Sequence, residues 1–139
     1  MTNPIWIAGV ARGHNSGVCL LKDGEIVFSI EEERLTRLKY DGGPLASMLK
    51  IKEYTDKLDH LVICHTTPLS TAGILDYSGE DVYSGLARKI GLIDTPKRNS
   101  TDPRTEGQVV DVAMHHHKMH AAMAFYRSGF DSAVALIVD

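Results

Sequence analysis

The chain has 139 residues, with 15 Lys and Arg against 18 Asp and Glu, a formal charge of −3. That balance argues against a general phosphate-backbone binder, which needs a strong basic excess. Hydrophobic residues at 43% and charged residues at 24% are ordinary for a soluble globular α/β protein, and the length fits one domain or a piece of one.

Taken in chain order, Ile5–Val10 is a short apolar run that reads as a buried strand, interrupted by the turn residues Gly13-His14-Asn15-Ser16-Gly17. Val18–Leu21 resumes as a strand. Asp23-Gly24 is a strong hairpin signal, and Ile26–Ile30 is the return strand. The opening is therefore expected to be a three-stranded antiparallel meander. Cys19 and Cys64 each sit in an apolar run and are expected as buried, reduced thiols. Residues 44–58 read as a helix, with Pro44 in its first turn and Leu45, Met48, Leu49, Ile51 and Tyr54 near helical spacing. Leu61–Cys64 follows as a buried strand, parallel to one of the first three.

The pattern weakens from His65 to about Gln108, with a modest helix around Glu80–Ile90. This stretch reads as an insertion. Asp111–Tyr126 is the clearest later helix, with Val112, Met119, Met123 and Tyr126 as its apolar face and Gly129 as its stop. Ala133–Val138 is expected as a buried strand ending at Asp139. Such a strand normally feeds an element that covers the sheet, so a larger catalytic unit is expected. No run approaches the roughly 18 apolar residues of a membrane span. The first residues lack a charged signal-peptide segment, and the expected location is cytoplasmic.

Three segments can carry chemistry. Four of the seven histidines lie between His115 and His120. On a helix His116 and His120 share a face, as do His117 and His120, so their imidazoles either converge on one metal or form a polar, solvated face. A third ligand is needed, and Asp139 is either that ligand or a plain strand-end residue. The glycines around His14 let backbone N–H groups approach an anion, unless the segment is an ordinary glycine-rich hairpin. His14 at the tip has the type of side chain that serves as a general base near neutrality. The mixed charge run Glu31–Asp41 is either a solvated face or a means of bringing Arg37 or Lys39 to the strand ends, near residues 13–17.

Gly13-His14-Asn15-Ser16, the run Lys22–Val27, the run Glu31–Lys39, the run His116–Ala122, Phe125-Tyr126 and Val138-Asp139 occur in that order. Together they resemble the N-terminal part of the O-carbamoyltransferase family of nodulation-factor and antibiotic biosynthesis. The resemblance implies an actin-like, hexokinase-like ATPase fold, whose lobes begin with such a meander. Residues 1–139 would be a single N-terminal lobe, a meander followed by α-β, an insertion around 65–108 and α-β, without the second lobe and the adenylate-forming domain. The implied activity is transfer of a carbamoyl group to an acceptor hydroxyl from a carbamoyl-adenylate, made from carbamoyl phosphate and ATP.

By the same resemblance His116, His120 and Asp139 are metal ligands for iron (Fe2+) or zinc (Zn2+), with a further aspartate from the second lobe. His14 is the catalytic histidine, and Lys39 contacts the carbamoyl donor, with Arg12 assigned beside it. The implied partners are a small-molecule acceptor with a hydroxyl and the remaining lobe or second chain of the enzyme, not a membrane or nucleic acid. Two positions depart from the family's frequent pattern: Asn15 stands where Asp is common after the loop histidine, and Tyr40 where His is common after the lysine. Alternative readings are a tRNA threonylcarbamoyl transferase-like enzyme, against which the acidic balance weighs, and a non-catalytic metal- or nucleotide-binding lobe that docks a partner subunit.

Overall fold

The computed structural model describes residues 3–12, 15–64, 83–95, 108–112 and 115–138. The meander forms as expected. Strand β1 (Trp6–Ala11) pairs antiparallel with β2 (Gly17–Lys22), which pairs antiparallel with β3 (Glu25–Glu31). Asp23 and Gly24 close the second hairpin at φ 51° and 88°. Two positive φ values give the turn whose twist matches that of its strands, and Asp followed by Gly tolerates them best.

Strand β4 (His60–Cys64) pairs parallel with β1, also as expected. A further strand, β5 (Val109–Asp111), pairs parallel with β4 and completes the order β3-β2-β1-β4-β5. Sequence reading places Asp111 at the start of a helix; in the structure it ends a strand. Three residues are too few to show a period. The strand exists because Gln108 anchors it: its carbonyl accepts from Leu61 N–H (2.6 Å) and its side-chain amide donates to the Leu58 carbonyl (3.3 Å).

The sheet has one well-covered face. Ala8, Val10, Val18, Leu20, Leu61 and Ile63 are buried there, in one core with Met48 and Ile51 of helix α2 (Leu45–Ile51). Tyr83, Ala87, Leu92 and Ile93, in and around helix α3 (Ser84–Lys89), complete that core. Helix α2 is shorter than the expected 44–58, and Leu45, Leu49 and Tyr54 stay exposed. Only the Met48 and Ile51 side of it meets the sheet.

Three further expectations are corrected. The charge run at 31–41 is not a solvated face throughout: Glu32–Thr36 forms helix α1, and Glu32 is only 1% exposed. Cys64 is exposed and Cys19 half-buried, because both alternate onto the less covered face of the sheet. Residues 133–138 are not a buried strand. Among the described residues they join no ladder, and Val134, Leu136 and Val138 are 99%, 87% and 83% exposed. An apolar run becomes a strand only where a neighbour offers backbone partners, and among the described residues none of β1 to β5 pairs with it.

The other face is built of small residues, among them Gly9, Ala11, Gly17, Cys19 and Ser29. Gly17 is required by proximity: a Cβ there would lie 2.9 Å from the Ile30 carbonyl oxygen and 3.4 Å from Glu31 Cα. Both neighbours are backbone, so neither can turn aside. Gly17→Ala is expected to destabilise the fold by roughly 1–3 kcal/mol, the range for overpacking, read as a lower urea midpoint at unchanged slope.

Candidate functional site

Parallel pairing sets which ends of the strands coincide. Ala11 is opposite both Gly17 and Cys64, Gly17 is opposite Glu31, and Ile63 is opposite Asp111. Arg12, the turn leading into Gly17, the exit from β3 and the approach to the histidine helix thus meet at one end of the sheet. It is the carboxyl end of the parallel strands, where open α/β sheets place their ligands.

Ser16 ties this end together. Its N–H donates to the Asp41 carbonyl (3.0 Å), and its carbonyl accepts from Glu32 N–H (2.8 Å). The loop after α1 is therefore held against the glycine turn, as the charge run suggested. Within that loop Arg37 and Tyr40 adopt left-handed backbone, φ 64° and 60°. Such conformations strain non-glycine residues and persist where neighbours hold them. One holding contact is Tyr40 N–H to the Glu33 carboxylate, 3.4 Å. Lys39 stands exposed in the loop, its Nζ 6.0 Å from the Tyr40 ring centre. Arg12 is exposed just past β1. His14 lies outside the described residues.

The loop is fixed from beneath by Glu32. Its carboxylate accepts from Ala46 N–H (2.6 Å), Ser47 N–H (2.7 Å) and the Ser47 hydroxyl (2.6 Å). These are otherwise unsatisfied donors of the first turn of α2, so one buried charge joins α1 to α2.

The histidines open helix α4 (His116–Ser128), which ends at Gly129 with φ 75°, the expected stop. His115 is its cap, with its N–H on the Val112 carbonyl at 2.9 Å. The structure selects the pair one full turn apart: His116 Nε2 and His120 Nε2 are 3.1 Å from each other, with rings at 88°. His117 is edge-on to His116 at 5.6 Å between ring centres.

Two nitrogens each about 2.0–2.1 Å from one ion would lie roughly 2.9 Å apart at a right angle and roughly 3.4 Å apart at a tetrahedral angle. The observed separation falls between these, so the pair fits a shared metal ion. Among the described residues no group of three or more His, Cys, Asp or Glu side chains completes a metal site. Asp139 lies outside the described residues.

Cys64 connects the two halves of this region, and sequence reading missed it by treating it as a core thiol. It lines a groove of about 360 Å³ with Gly9, Asn15 and Ser16, and another of about 370 Å³ with His116, Met119 and His120. Although the residue is exposed overall, partial desolvation of its sulfur in these grooves, and then the nearby Cys19, push its thiol above the usual range. The available signal was alternation: with Leu61 and Ile63 in the core, Val62 and Cys64 fall on the opposite face. The expected apolar side of α4 is not buried. Met119, Met123 and Tyr126 are exposed.

The chain is a mixed α/β unit with a five-stranded sheet and candidate groups at the carboxyl end of its parallel strands. Residues 6–84, more than half of the chain, match the family described as Carbamoyltransferase N-terminus, and the chain belongs to that family. It is also similar to Nodulation protein NolNO of Sinorhizobium fredii, 28% identical over 136 residues, which covers 91% of this chain and 19% of that protein. A second relative is an uncharacterized protein, sll1178, of Synechocystis, 27% identical over 150 residues, 91% of this chain and 24% of that protein. The chain thus spans a quarter or less of the length of these curated relatives. Among the described residues no helix is long and apolar enough to cross a membrane.

Proposed function

We propose that this chain supplies one lobe, of actin-like fold, to an enzyme that transfers a carbamoyl group from a carbamoyl-adenylate to an acceptor hydroxyl. Carbamoyl phosphate and ATP are the source of that donor. The observation that carries the reading is the pair of Nε2 atoms 3.1 Å apart on α4, in a chain whose residues 6–84 belong to the carbamoyltransferase family.

The acceptor hydroxyl attacks the carbamoyl carbon, a carbon–oxygen bond forms, and the adenylate leaves. His14 takes the hydroxyl proton as the bond forms. Lys39, on a loop held to the turn by the Ser16–Asp41 hydrogen bond, and Arg12, just past β1, would hold the donor's phosphate as point charges. The Ser16 N–H is already committed to the Asp41 carbonyl and is not a donor to the developing oxyanion. His116, His120 and Asp139 would hold iron or zinc, which supplies Lewis-acid polarisation when bound. The rest of the enzyme is a second lobe together with an adenylate-forming domain. The protein works in the cytoplasm on a small hydroxyl-bearing acceptor.

His14→Ala in the complete enzyme is expected to lower kcat for carbamoyl transfer by about 10²–10⁴-fold, the usual worth of a positioned base, with little change in donor KM. Single-turnover transfer from preformed carbamoyl-adenylate is the measurement. Transfer at the wild-type rate would remove the base assignment.

A further inference from the structure

Lys39 and Tyr40 form a turn after α1, and both are exposed. Tyr40 has φ 60°, a value that turns usually give to glycine or asparagine. The other left-handed residue of this loop, Arg37, has a local reason. It caps α1, where such backbone is common, and its N–H donates to the Glu33 carbonyl (3.0 Å). Tyr40 lies between α1 and α2, at neither a helix end nor a hairpin turn. A bulky residue held in this conformation is an outlier, and such outliers cluster at binding and catalytic sites.

Hydrogen bonds on both sides hold the backbone. Tyr40 N–H donates to the carboxylate of Glu33 (3.4 Å), a largely buried side chain, and the carbonyl of the next residue, Asp41, accepts from Ser16 N–H (3.0 Å). The ring itself stays in solvent, at 68% exposure, so it fills no core. What it meets is the neighbouring ammonium: Lys39 Nζ lies over the ring, 6.0 Å from its centre. Consecutive side chains of a helix or strand point to different sides, whereas this turn brings two together. The separation is at the reach of a cation–aromatic attraction, about 6 Å. Lysine carries its charge on a flexible four-carbon stem, so a ring face beneath the ammonium narrows where that charge can be. We propose that Tyr40 is a positioning residue for Lys39, its ring orienting the ammonium before the phosphate of the carbamoyl donor arrives. Tyr40 acts through Lys39 and does not itself touch the donor. The inference rests on the reading of Lys39 as a donor contact, and its test separates the two.

The test measures KM for the donor and kcat in the complete enzyme, for transfer from preformed carbamoyl-adenylate. Lys39→Ala is expected to raise donor KM by about 10-fold or more, the worth of a hydrogen bond to a charged group. Tyr40→Ala is expected to raise it by about 2–5-fold, the worth of an exposed cation–aromatic contact, with kcat unchanged. Tyr40→Phe keeps the ring face and should keep the wild-type KM. Tyr40→Gly suits φ 60° but lacks the ring, and should behave as Tyr40→Ala. With Lys39→Ala already present, Tyr40→Ala should add nothing, a result that a merely structural role does not give. An undiminished effect of Tyr40→Ala in that background would overturn the proposal. So would a wild-type KM in Tyr40→Ala, or in Tyr40→Gly, which would place the effect in the backbone. A Tyr40→Phe variant as impaired as Tyr40→Ala would overturn it in favour of the hydroxyl. An unchanged KM in Lys39→Ala would remove the donor reading of Lys39, and the proposal with it.

Discussion

Replacing Glu32 with alanine is expected to lower stability by about 2–4 kcal/mol, a large share of the roughly 5–15 kcal/mol that a domain has. The carboxylate is 1% exposed and accepts three hydrogen bonds, from Ala46 N–H, Ser47 N–H and the Ser47 hydroxyl. Alanine leaves the two amide donors of α2 without their acceptor. The Ser47 hydroxyl still has the Pro44 carbonyl at 3.3 Å. Glu32→Gln keeps the shape and one carbonyl oxygen but replaces the other acceptor with a donor, so a smaller loss is expected. Urea unfolding followed by circular dichroism reads both, as a lower midpoint at constant slope. A midpoint equal to wild type in Glu32→Ala would show that the first turn of α2 does not depend on this carboxylate.

His120→Ala is expected to abolish metal retention, and carbamoyl transfer with it. His116 and His120 bring their Nε2 atoms to a separation that one ion could set. Losing either should weaken metal binding by well over about 100-fold, since even a lost supporting contact to a metal ligand costs about 10–100-fold. His117→Ala should keep its metal, because the Nε2 atoms that converge are those of His116 and His120. Elemental analysis of protein purified without an affinity tag and dialysed against metal-free buffer gives the answer. Full metal content in His120→Ala would remove the helix assignment. Loss in His117→Ala with retention in His116→Ala would move the site to the other pair.

The strand pattern at the N-terminus was legible because local rules sufficed there. Asp23-Gly24 favours one kind of turn, and the flanking apolar runs fix which side faces the core. The histidine helix was legible for a similar reason, since a four-residue spacing puts two rings on one side whatever the surroundings. Gly129 stopped that helix as its lack of a side chain predicts.

What local pattern did not contain was decided by partners distant in the chain. Glu32 reads as one more charge in an acidic run, and only the arrival of the first turn of α2, fourteen residues later, makes it a buried acceptor. Val109–Asp111 is a strand because β4 offers it a ladder, whereas the longer and more apolar Ala133–Val138 finds none among the described residues. Cys64 becomes the shared wall of two grooves because α4 and the glycine turn come to the same end of β4. Residue type and spacing set which side chains can act and which short elements form. The pairing of strands sets which of those side chains meet, because backbone hydrogen bonds and burial are satisfied between segments that the sequence keeps apart.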